Sequence, residues 1–336
     1  MLIDHESVDE TAFGSSMTDK LRIGVAGAGA FGREHLRRLA AMPDVEIAGI
    51  ADIDLAAARA AAQLYGVAEV GDDAMGQIHL LDLDGVVIAT PGDTHLEIAL
   101  DAIELGVAAL VEKPVAMNAE DAALLEREFS ESRAFGLPGH VLRFSAHHRL
   151  LYEIVHSGEI GPILSFMSRR HRDETHASRY ASVDPVLMTM IHDIDLGLWM
   201  TGAGLAEATA LRRPAGIARS DTMAMGLGKN GAIWQLHAAW TFPGTEPPQD
   251  RVEIVGERGG VELEAGSHIR QYGAKNRVID LKTMPEDPLA AELRYFADCI
   301  RKREAPRVVT LQDARAGLEI ADAIRASLKR GERIRL

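Results

Sequence analysis

The chain has 336 residues, of which 36 are Lys or Arg and 50 are Asp or Glu, so its formal net charge is −14. With 47% hydrophobic and 26% charged residues it has an ordinary globular composition, which excludes a mainly disordered chain. The acidic balance argues against nucleic acid or a membrane surface as a partner, because either would require clustered Lys and Arg. A small anionic ligand is still allowed.

The length favours two domains, since a single core rarely grows beyond roughly 250 to 300 residues. Residues 1–19 are acidic and polar without an apolar core, so we predict a flexible tail rather than a signal peptide. No stretch approaches the roughly 18 apolar residues that span a bilayer, and we expect a cytoplasmic protein. The single cysteine, Cys299, is predicted to be a buried apolar residue.

Residues 20–141 alternate short apolar runs with helical segments, the pattern of a parallel sheet covered on both faces. Asp54 and Asn118 can cap two of the helices, and Thr94 with Glu97 has the spacing of a capping box. The predicted strands are 21–26, 45–51, 86–89, 107–111 and 140–144. This part is predicted to be a Rossmann domain, a doubly wound α/β fold.

Residues 142–336 have a different pattern, which predicts an α+β domain. The predicted helices are 147–156, 185–200, 289–303 and 311–329, and the predicted strands are 163–172, 222–227, 232–240, 251–255 and 261–264. Asn230-Gly231 between two strands indicates a hairpin, so most of this sheet is expected to be antiparallel. We expect the last helix to pack back on the first domain.

The sequence Gly27-Ala28-Gly29-Ala30-Phe31-Gly32 follows the first strand directly and opens a helix. The first glycine of such a motif permits a tight turn, the second lets the backbone approach a pyrophosphate, and the third lets helix and strand pack closely. The helix N-terminus then faces the phosphates. Together with Asp52 at the end of the second strand, this arrangement predicts a dinucleotide site.

Asp52 also indicates which dinucleotide binds. Its carboxylate can accept hydrogen bonds from ribose hydroxyls but would repel a 2′-phosphate, and two unit charges ~4 Å apart cost about 4 kcal/mol at an effective dielectric near 20. The next residue, Ile53, offers no donor to such a phosphate. The sequence therefore predicts NAD in preference to NADP.

The chain resembles the glucose-fructose oxidoreductase / inositol dehydrogenase (Gfo/Idh/MocA) family. The resemblance follows the family's order from about residue 20 to 330, and the combination of an EKP and an IHDID motif is far more specific than the glycine motif. The segments that carry it are GVAGAGAFG (24–32), VVIATPGDTH (86–95), EKP (112–114), LRF (142–144), IHDID (191–195) and TLQDARAGLEIADAIRAS (310–327).

This resemblance implies an NAD-dependent oxidoreductase that transfers a hydride to or from a secondary alcohol of a sugar, polyol or related compound. It also implies a large open sheet in the second domain, which forms one wall of the substrate cleft and joins subunits into homodimers or homotetramers. The expected cofactor contacts, besides the glycine loop with Ala30 and Phe31, are Asp52, Ile53, Thr90, Pro91, His95, Glu112 and Lys113.

Lys113 and His192 are the expected catalytic residues. Lys113 follows a parallel strand, at the end where open α/β sheets bind ligands, and its ammonium can stabilise a developing alkoxide. His192 is the candidate general base for the hydroxyl proton. The alternatives are a surface lysine paired with Glu112 and a core histidine without a chemical role.

Further residues are expected to contact the substrate. Arg143 ends a predicted strand, and His171 and Asp173 belong to a run similar to the HRN of inositol dehydrogenases. Active family members commonly place Asp four residues before the catalytic His, where this chain has Met188, a residue that cannot orient an imidazole. Asp195 is a candidate to replace that acid.

Three functions stay open at this level. The chain is a dehydrogenase, a regulatory protein that binds NAD(H) without turnover, or an enzyme that uses NAD transiently in glycoside cleavage. A metal is not expected, because His192 and Asp193 point apart on a helix and no other cluster has the spacing of metal ligands.

Overall fold

The computed structural model describes residues 20–213, 219–273 and 275–336, so the predicted tail 1–19 lies outside the described residues. The first domain contains helices α1 to α5 and strands β1 to β6. The helices are α1 (Ala30–Leu39), α2 (Leu55–Tyr65), α3 (Ala74–Leu80), α4 (His95–Glu104) and α5 (Ala119–Glu131). The strands are β1 (Leu21–Ala26), β2 (Val45–Ala51), β3 (Val70–Gly71), β4 (Gly85–Ile88), β5 (Ala108–Glu112) and β6 (Gly136–Gly139).

Among the described residues, these strands form a parallel sheet in the order β3-β2-β1-β4-β5-β6. This is the doubly wound Rossmann order, and the predicted fold class is confirmed. The carboxyl ends of β1 and β4, where the strand order reverses, form the crevice in which such sheets bind ligands. The glycine motif and the loop after β4 both open onto this crevice.

The predicted strand 140–144 is wrong. Its place at the edge of the sheet is taken by β6, and Val141–Phe144 form a 3-10 turn. Pro138 pairs with Val111 on the inner side of β6, and an edge strand tolerates the missing proline N–H. A Gly-Leu-Pro-Gly segment has the composition of a turn, which is why the sequence pattern did not reveal this strand.

Two of the three predicted helix caps are confirmed. The Asp54 carboxylate accepts hydrogen bonds from the amides of Ala56 and Ala57, and Asn118 accepts one from Asp121. The capping box at Thr94 is wrong, because the Thr94 hydroxyl donates to the Thr90 hydroxyl (2.7 Å) and lies 2.8 Å from the Pro91 carbonyl.

The second domain contains helices α6 to α10 and strands β7 to β15. The helices are α6 (Ala146–His156), α7 (Glu174–Arg179), α8 (Ile191–Thr201), α9 (Pro288–Lys302) and α10 (Leu311–Arg330), and a π-helix, Val186–Met190, leads directly into α8. The strands are β7 (Ile163–Asp173), β8 (Leu205–Arg212), β9 (Asp221–Gly228), β10 (Ile233–Phe242), β11 (Arg251–Gly256), β12 (Gly259–Glu264), β13 (His268–Gly273), β14 (Arg277–Asp280) and β15 (Ile334–Arg335).

In the described part of the chain these strands form one open sheet in the order β14-β13-β12-β11-β7-β10-β9-β8-β15. The neighbours are antiparallel except for β7 and β10, so the predicted mostly antiparallel sheet is confirmed. Alternation along the strands separates two faces. Phe166, Arg170 and Trp240 are buried on the inner face, whereas Met167 and Met225 are exposed on the outer one.

The two C-terminal helices connect the domains. Helix α9 packs against α1, and Arg294 forms two hydrogen bonds, of 2.7 and 2.8 Å, with the carboxylate of Asp44 before β2. Helix α10 packs against α5 and α8, and Asp322 accepts a hydrogen bond from the Ala119 amide at 2.8 Å. Cys299 is buried in α9, where burial raises the pKa of its thiol. No described helix has both the length and the apolar character needed to cross a bilayer.

Candidate active site

The glycine motif forms a tight turn with open space above the start of α1. Gly27 has φ +101°, and a Cβ there would lie 2.5 Å from the Ala89 carbonyl oxygen. A Cβ on Gly32 would lie 2.0 Å from the Gly27 carbonyl oxygen. A Cβ on Gly29, in contrast, would meet no atom within 4 Å. Gly27 and Gly32 therefore permit close packing, and Gly29 leaves the helix N-terminus accessible to a pyrophosphate.

Asp52 connects this turn to the end of β2. Its carboxylate accepts hydrogen bonds from the Ala28 amide (2.6 Å) and the Asp54 amide (2.8 Å). A carboxylate has about four lone-pair sites, so it can still accept from ribose hydroxyls. Ile53 is 89% exposed beside it. The open backbone and the half-buried carboxylate fit a dinucleotide.

The side chain of His95 joins the loops that follow β4 and β5. Its ring nitrogens lie 2.8 Å from the Pro114 carbonyl oxygen and 2.9 Å from that of Thr90, and only 1% of the residue is exposed. His95 therefore has no free nitrogen for a ribose, in contrast to the predicted contact. Its contacts hold Thr90 and Pro91 beside the EKP motif.

Glu112 points into the first domain rather than into the crevice. Its carboxylate is 2.8 Å from Nε2 of the buried His35 and accepts a hydrogen bond from its neighbour's amide, that of Lys113, at 3.1 Å. This position differs from the predicted cofactor contact. Within the described residues, the nearby Glu292 is fully buried and has no hydrogen-bond partner, and burial next to Glu112 raises the pKa of the Glu292 carboxyl well above its usual range.

Lys113 extends from the end of β5 to the second domain. Its ammonium donates a hydrogen bond to the Met188 carbonyl at 3.1 Å and lies 3.6 Å from the Met188 sulfur. Burial lowers the pKa of this amine below its usual value. An amine from the first domain thus meets the π-helix that precedes α8.

His192 lies in the first turn of α8, four residues after Met188. Its imidazole is half-buried and has no hydrogen-bond partner among residues 20–213, 219–273 and 275–336. Burial, followed by the charges of Lys113 and Arg170, lowers its pKa well below the usual value. His192 is therefore a neutral imidazole near Lys113, able to accept a proton.

Asp195 does not replace the acid that Met188 lacks. Its carboxylate is bound by Arg143 through hydrogen bonds of 2.7, 3.0 and 3.1 Å, and both side chains are buried. The Arg143 guanidinium also lies 5.7 Å from the centre of the Trp199 ring. The predicted sugar contact by Arg143 is thus corrected, because the residue lies in a 3-10 turn that directs it to α8.

Arg172, and not its neighbour His171, belongs to the inner face of the sheet. The His171 ring packs 5.4 Å from that of His237 on the outer face, away from Lys113, which corrects the predicted polyol contact. Asp173 caps α7 by accepting a hydrogen bond from the His176 amide at 2.9 Å. Arg172 binds Asp250 at 2.7 and 3.0 Å and lines a polar cleft of about 400 Å³ together with residues 245–250.

A network of buried charged side chains lies next to Arg172 on the inner face of the sheet, and the sequence pattern did not predict it. Arg170 donates two hydrogen bonds of 2.9 Å to Asp193 and one of 2.6 Å to Asp250. Asp250 is far from both partners in the sequence, so no local signal indicated the network. His176 on α7 was also missed, because the sequence pattern did not reveal that short helix.

The comparisons with known proteins agree with this geometry. Residues 21–135 match "Oxidoreductase family, NAD-binding Rossmann fold", and residues 148–262 match "GFO/IDH/MocA C-terminal domain". Inositol 2-dehydrogenase 2 of Saccharopolyspora erythraea is 30% identical over 324 residues, which are 93% of this chain and 94% of that protein.

Two solved structures from lactobacilli share the fold. The myo-inositol 2-dehydrogenase of Lactobacillus plantarum superimposes with a TM-score of 0.82 at 20% identity, over 95% of this chain and 100% of that one. The scyllo-inositol dehydrogenase of Lactobacillus casei, with bound NAD(H) and scyllo-inositol, gives 0.81 at 18% identity, over 94% of this chain and 99% of that one.

Proposed function

The chain belongs to the Gfo/Idh/MocA family of NAD-binding oxidoreductases, and from this premise we propose that Lys113 and His192 perform its reaction. It is an NAD-dependent oxidoreductase that acts on a secondary alcohol of a sugar, polyol or related compound. Bound NAD supplies the hydride acceptor. The protein's own residues must then hold the alcohol and take its proton.

The observation that carries this proposal is the contact between the Lys113 ammonium and the Met188 carbonyl, at 3.1 Å. It brings the end of β5, beside the nucleotide crevice, next to the start of the helix that carries His192. Ligands of open α/β sheets bind at the carboxyl ends of the parallel strands, where Lys113 lies. The alcohol of a bound substrate would therefore lie between an amine and an imidazole.

Each group has a distinct task. The Lys113 ammonium donates a hydrogen bond to the substrate oxygen and stabilises the alkoxide charge that develops as the hydroxyl proton is removed, before the hydride passes to NAD. The neutral His192 accepts the hydroxyl proton, a role worth roughly 10² to 10⁴ in rate. Glu112 is a positioning residue, because its carboxylate accepts a hydrogen bond from the Lys113 amide at 3.1 Å and so fixes the backbone of Lys113.

A cyclic polyol is the substrate that the comparisons favour. The relative from Saccharopolyspora erythraea is named inositol 2-dehydrogenase 2, and the structure of one neighbour contains scyllo-inositol. The Arg172 wall and its polar cleft supply groups that can bind several hydroxyls. The same comparisons do not favour an NAD-binding regulator or a glycosidase.

We also propose that two copies associate through the outer face of the second sheet. Six large apolar side chains on this face are between 37% and 51% exposed, and neighbouring strands place them side by side. They are Met167, Met223, Met225, Leu227, Ile233 and Val255. An apolar patch of this kind marks an interaction surface, and a second copy of the same open sheet can cover it in a homodimer or within a homotetramer.

The test is a panel of cyclic and linear polyols with NAD, followed by NADH absorbance. Lys113→Ala should lower kcat at least a hundredfold while the dissociation constant for NAD changes little. Lys282→Ala, at an exposed lysine, is the matched control. Turnover by the Lys113 variant close to that of the wild type would remove Lys113 from the mechanism.

A further inference from the structure

His176 lies on α7, the short helix between β7 and the π-helix. Asp173 caps this helix, and its carboxylate accepts a hydrogen bond from the His176 amide at 2.9 Å. Two aromatic rings fix the orientation of the imidazole, with centroids 5.0 Å away for Trp240 and 4.7 Å for Tyr180. The side chain is therefore held in one place on the inner side of the sheet.

A continuous series of contacts joins His176 to the proposed catalytic residues. The Trp240 ring that packs on His176 donates a hydrogen bond from Nε1 to the Thr189 hydroxyl at 2.9 Å. Thr189 is the neighbour of Met188, which contacts the Lys113 ammonium. His176 thus lies on the inner side of the sheet, as Arg172 does, and close enough to Lys113 for that charge to lower the pKa of its ring.

The free nitrogen of His176 has no use within the protein. Its Nε2 is buried and has no hydrogen-bond partner in the described part of the chain. Burial and the charges of Arg172 and Lys113 lower the pKa of the ring to about 4, so it is neutral near pH 7. A buried polar atom without a partner is unfavourable, and a ligand hydroxyl removes this penalty.

We propose that His176 is a substrate-binding residue, whose Nε2 forms a hydrogen bond with a hydroxyl of the polyol next to the reacting carbon. This inference rests on the proposed function, because it requires a polyol beside Lys113. His176 takes the substrate-binding role that the family resemblance implied for His171. It selects substrates that present a hydroxyl toward α7.

The experiment compares wild type, His176→Ala and His176→Gln, with His79→Ala on the exposed side of α3 as the control. The Gln amide can reproduce a hydrogen bond at Nε2, whereas Ala cannot. In His176→Ala we expect KM for the best polyol to rise at least tenfold, with the NAD dissociation constant and Tm close to wild type. In His176→Gln the rise should stay within about threefold of wild type.

Each outcome decides between the two proposals. An unchanged KM in His176→Ala, with an active wild type, overturns the role of His176 alone, as does an equal loss of NAD affinity or Tm, which indicates a structural role. Wild type that neither forms NADH nor binds any polyol by calorimetry overturns the proposed function, and the role of His176 with it.

Discussion

The ammonium of Lys113 and the main-chain carbonyl of Met188 lie 3.1 Å apart, although the two residues belong to different domains. The position at which family members commonly carry an acid is thus in direct contact with the proposed catalytic amine. The Met188 sulfur, 3.6 Å from the same ammonium, provides only a weak acceptor. Met188 therefore supplies no negative charge beside the Lys113 ammonium.

Met188→Asp should change the pH dependence of alcohol oxidation. A carboxylate one helical turn before His192 favours the imidazolium and raises the pKa, which is now well below its usual value. Because oxidation needs the neutral imidazole, the acid limb of kcat/KM should move to higher pH by about one unit, and a stronger base should raise kcat at pH 8 by about tenfold.

Met188→Asn introduces a side chain of the same size as Asp but without its charge. The acid limb of kcat/KM for this variant should therefore stay at the wild-type pH. Activity profiles recorded between pH 5 and 9 distinguish the variants. If Met188→Asp is inactive, or has the wild-type profile, the cleft has been rebuilt around the thioether and the missing acid does not limit the reaction.

Asp52 should determine the preference for NAD. A 2′-phosphate ~4 Å from its carboxylate costs about 4 kcal/mol at an effective dielectric near 20, and even half of this is a preference of roughly thirtyfold. Asp52→Asn removes the charge, so the ratio of kcat/KM for NAD and NADP should fall at least tenfold. Asp54→Asn, which can still cap α2, is the control and should keep the wild-type ratio. Equal values of kcat/KM for NAD and NADP in the wild type would contradict the preference for NAD.

The pair of Arg143 and Asp195 should matter for stability rather than for substrate binding. Removing one partner of a buried ion pair leaves a charge uncompensated, so Arg143→Met should lower the free energy of unfolding by about 3 to 5 kcal/mol. The double variant with Asp195→Leu should lose less than the sum of the two single variants. Urea unfolding measures these values. A normal free energy of unfolding with a tenfold higher KM would instead make Arg143 a substrate contact.

Glu292 should destabilise the folded protein as the pH rises. The pKa of its carboxyl is raised in the folded state, so between pH 4.5 and that raised value the folded protein keeps a proton that the unfolded chain loses. The wild type then loses about 1.4 kcal/mol of unfolding free energy per pH unit from this group. Glu292→Gln does not titrate, so its stability relative to wild type should increase from pH 5 to pH 8.

Glu131→Gln, at an exposed position of α5, serves as the control for this comparison and should follow the wild type at every pH. Denaturant unfolding at pH 5, 6.5 and 8 provides the data. Parallel curves for wild type and Glu292→Gln would mean that Glu292 has a partner and titrates normally.

The elements that could be predicted are those with a strong local pattern. Strands β1 and β2 have the predicted bounds, since buried parallel strands are continuous apolar runs. Helix α2 begins at Leu55, directly after Asp54, whose side chain caps it locally. Strand β6, helix α7 and the strands β8, β13 and β14, which lie at or next to the edges of the second sheet, were not predicted, because segments with Gly, Pro or charged residues have no clear period.

The candidate site was predictable only where a motif fixes a backbone position. The glycine loop, Asp52 and Lys113 each lie at the carboxyl end of a parallel strand. The sequence order alone therefore predicts that they lie on the same side of the sheet, at its carboxyl ends. The face on which His171 and Arg172 lie depends on strand parity, and β7 carries polar residues on both faces. The partners of Arg143 and Arg170 are 52 and 80 residues away, beyond any local pattern.

The helices that connect the domains have a consequence for how substrate enters. Because α9 is anchored to Asp44 and α10 packs on both α5 and α8, a hinge rotation of one domain against the other would break these contacts. The distance between Lys113 and the helix opposite is therefore preset when the chain folds. Widening the groove by a rotation of the domains would therefore cost the hydrogen bonds that Arg294 and Asp322 form.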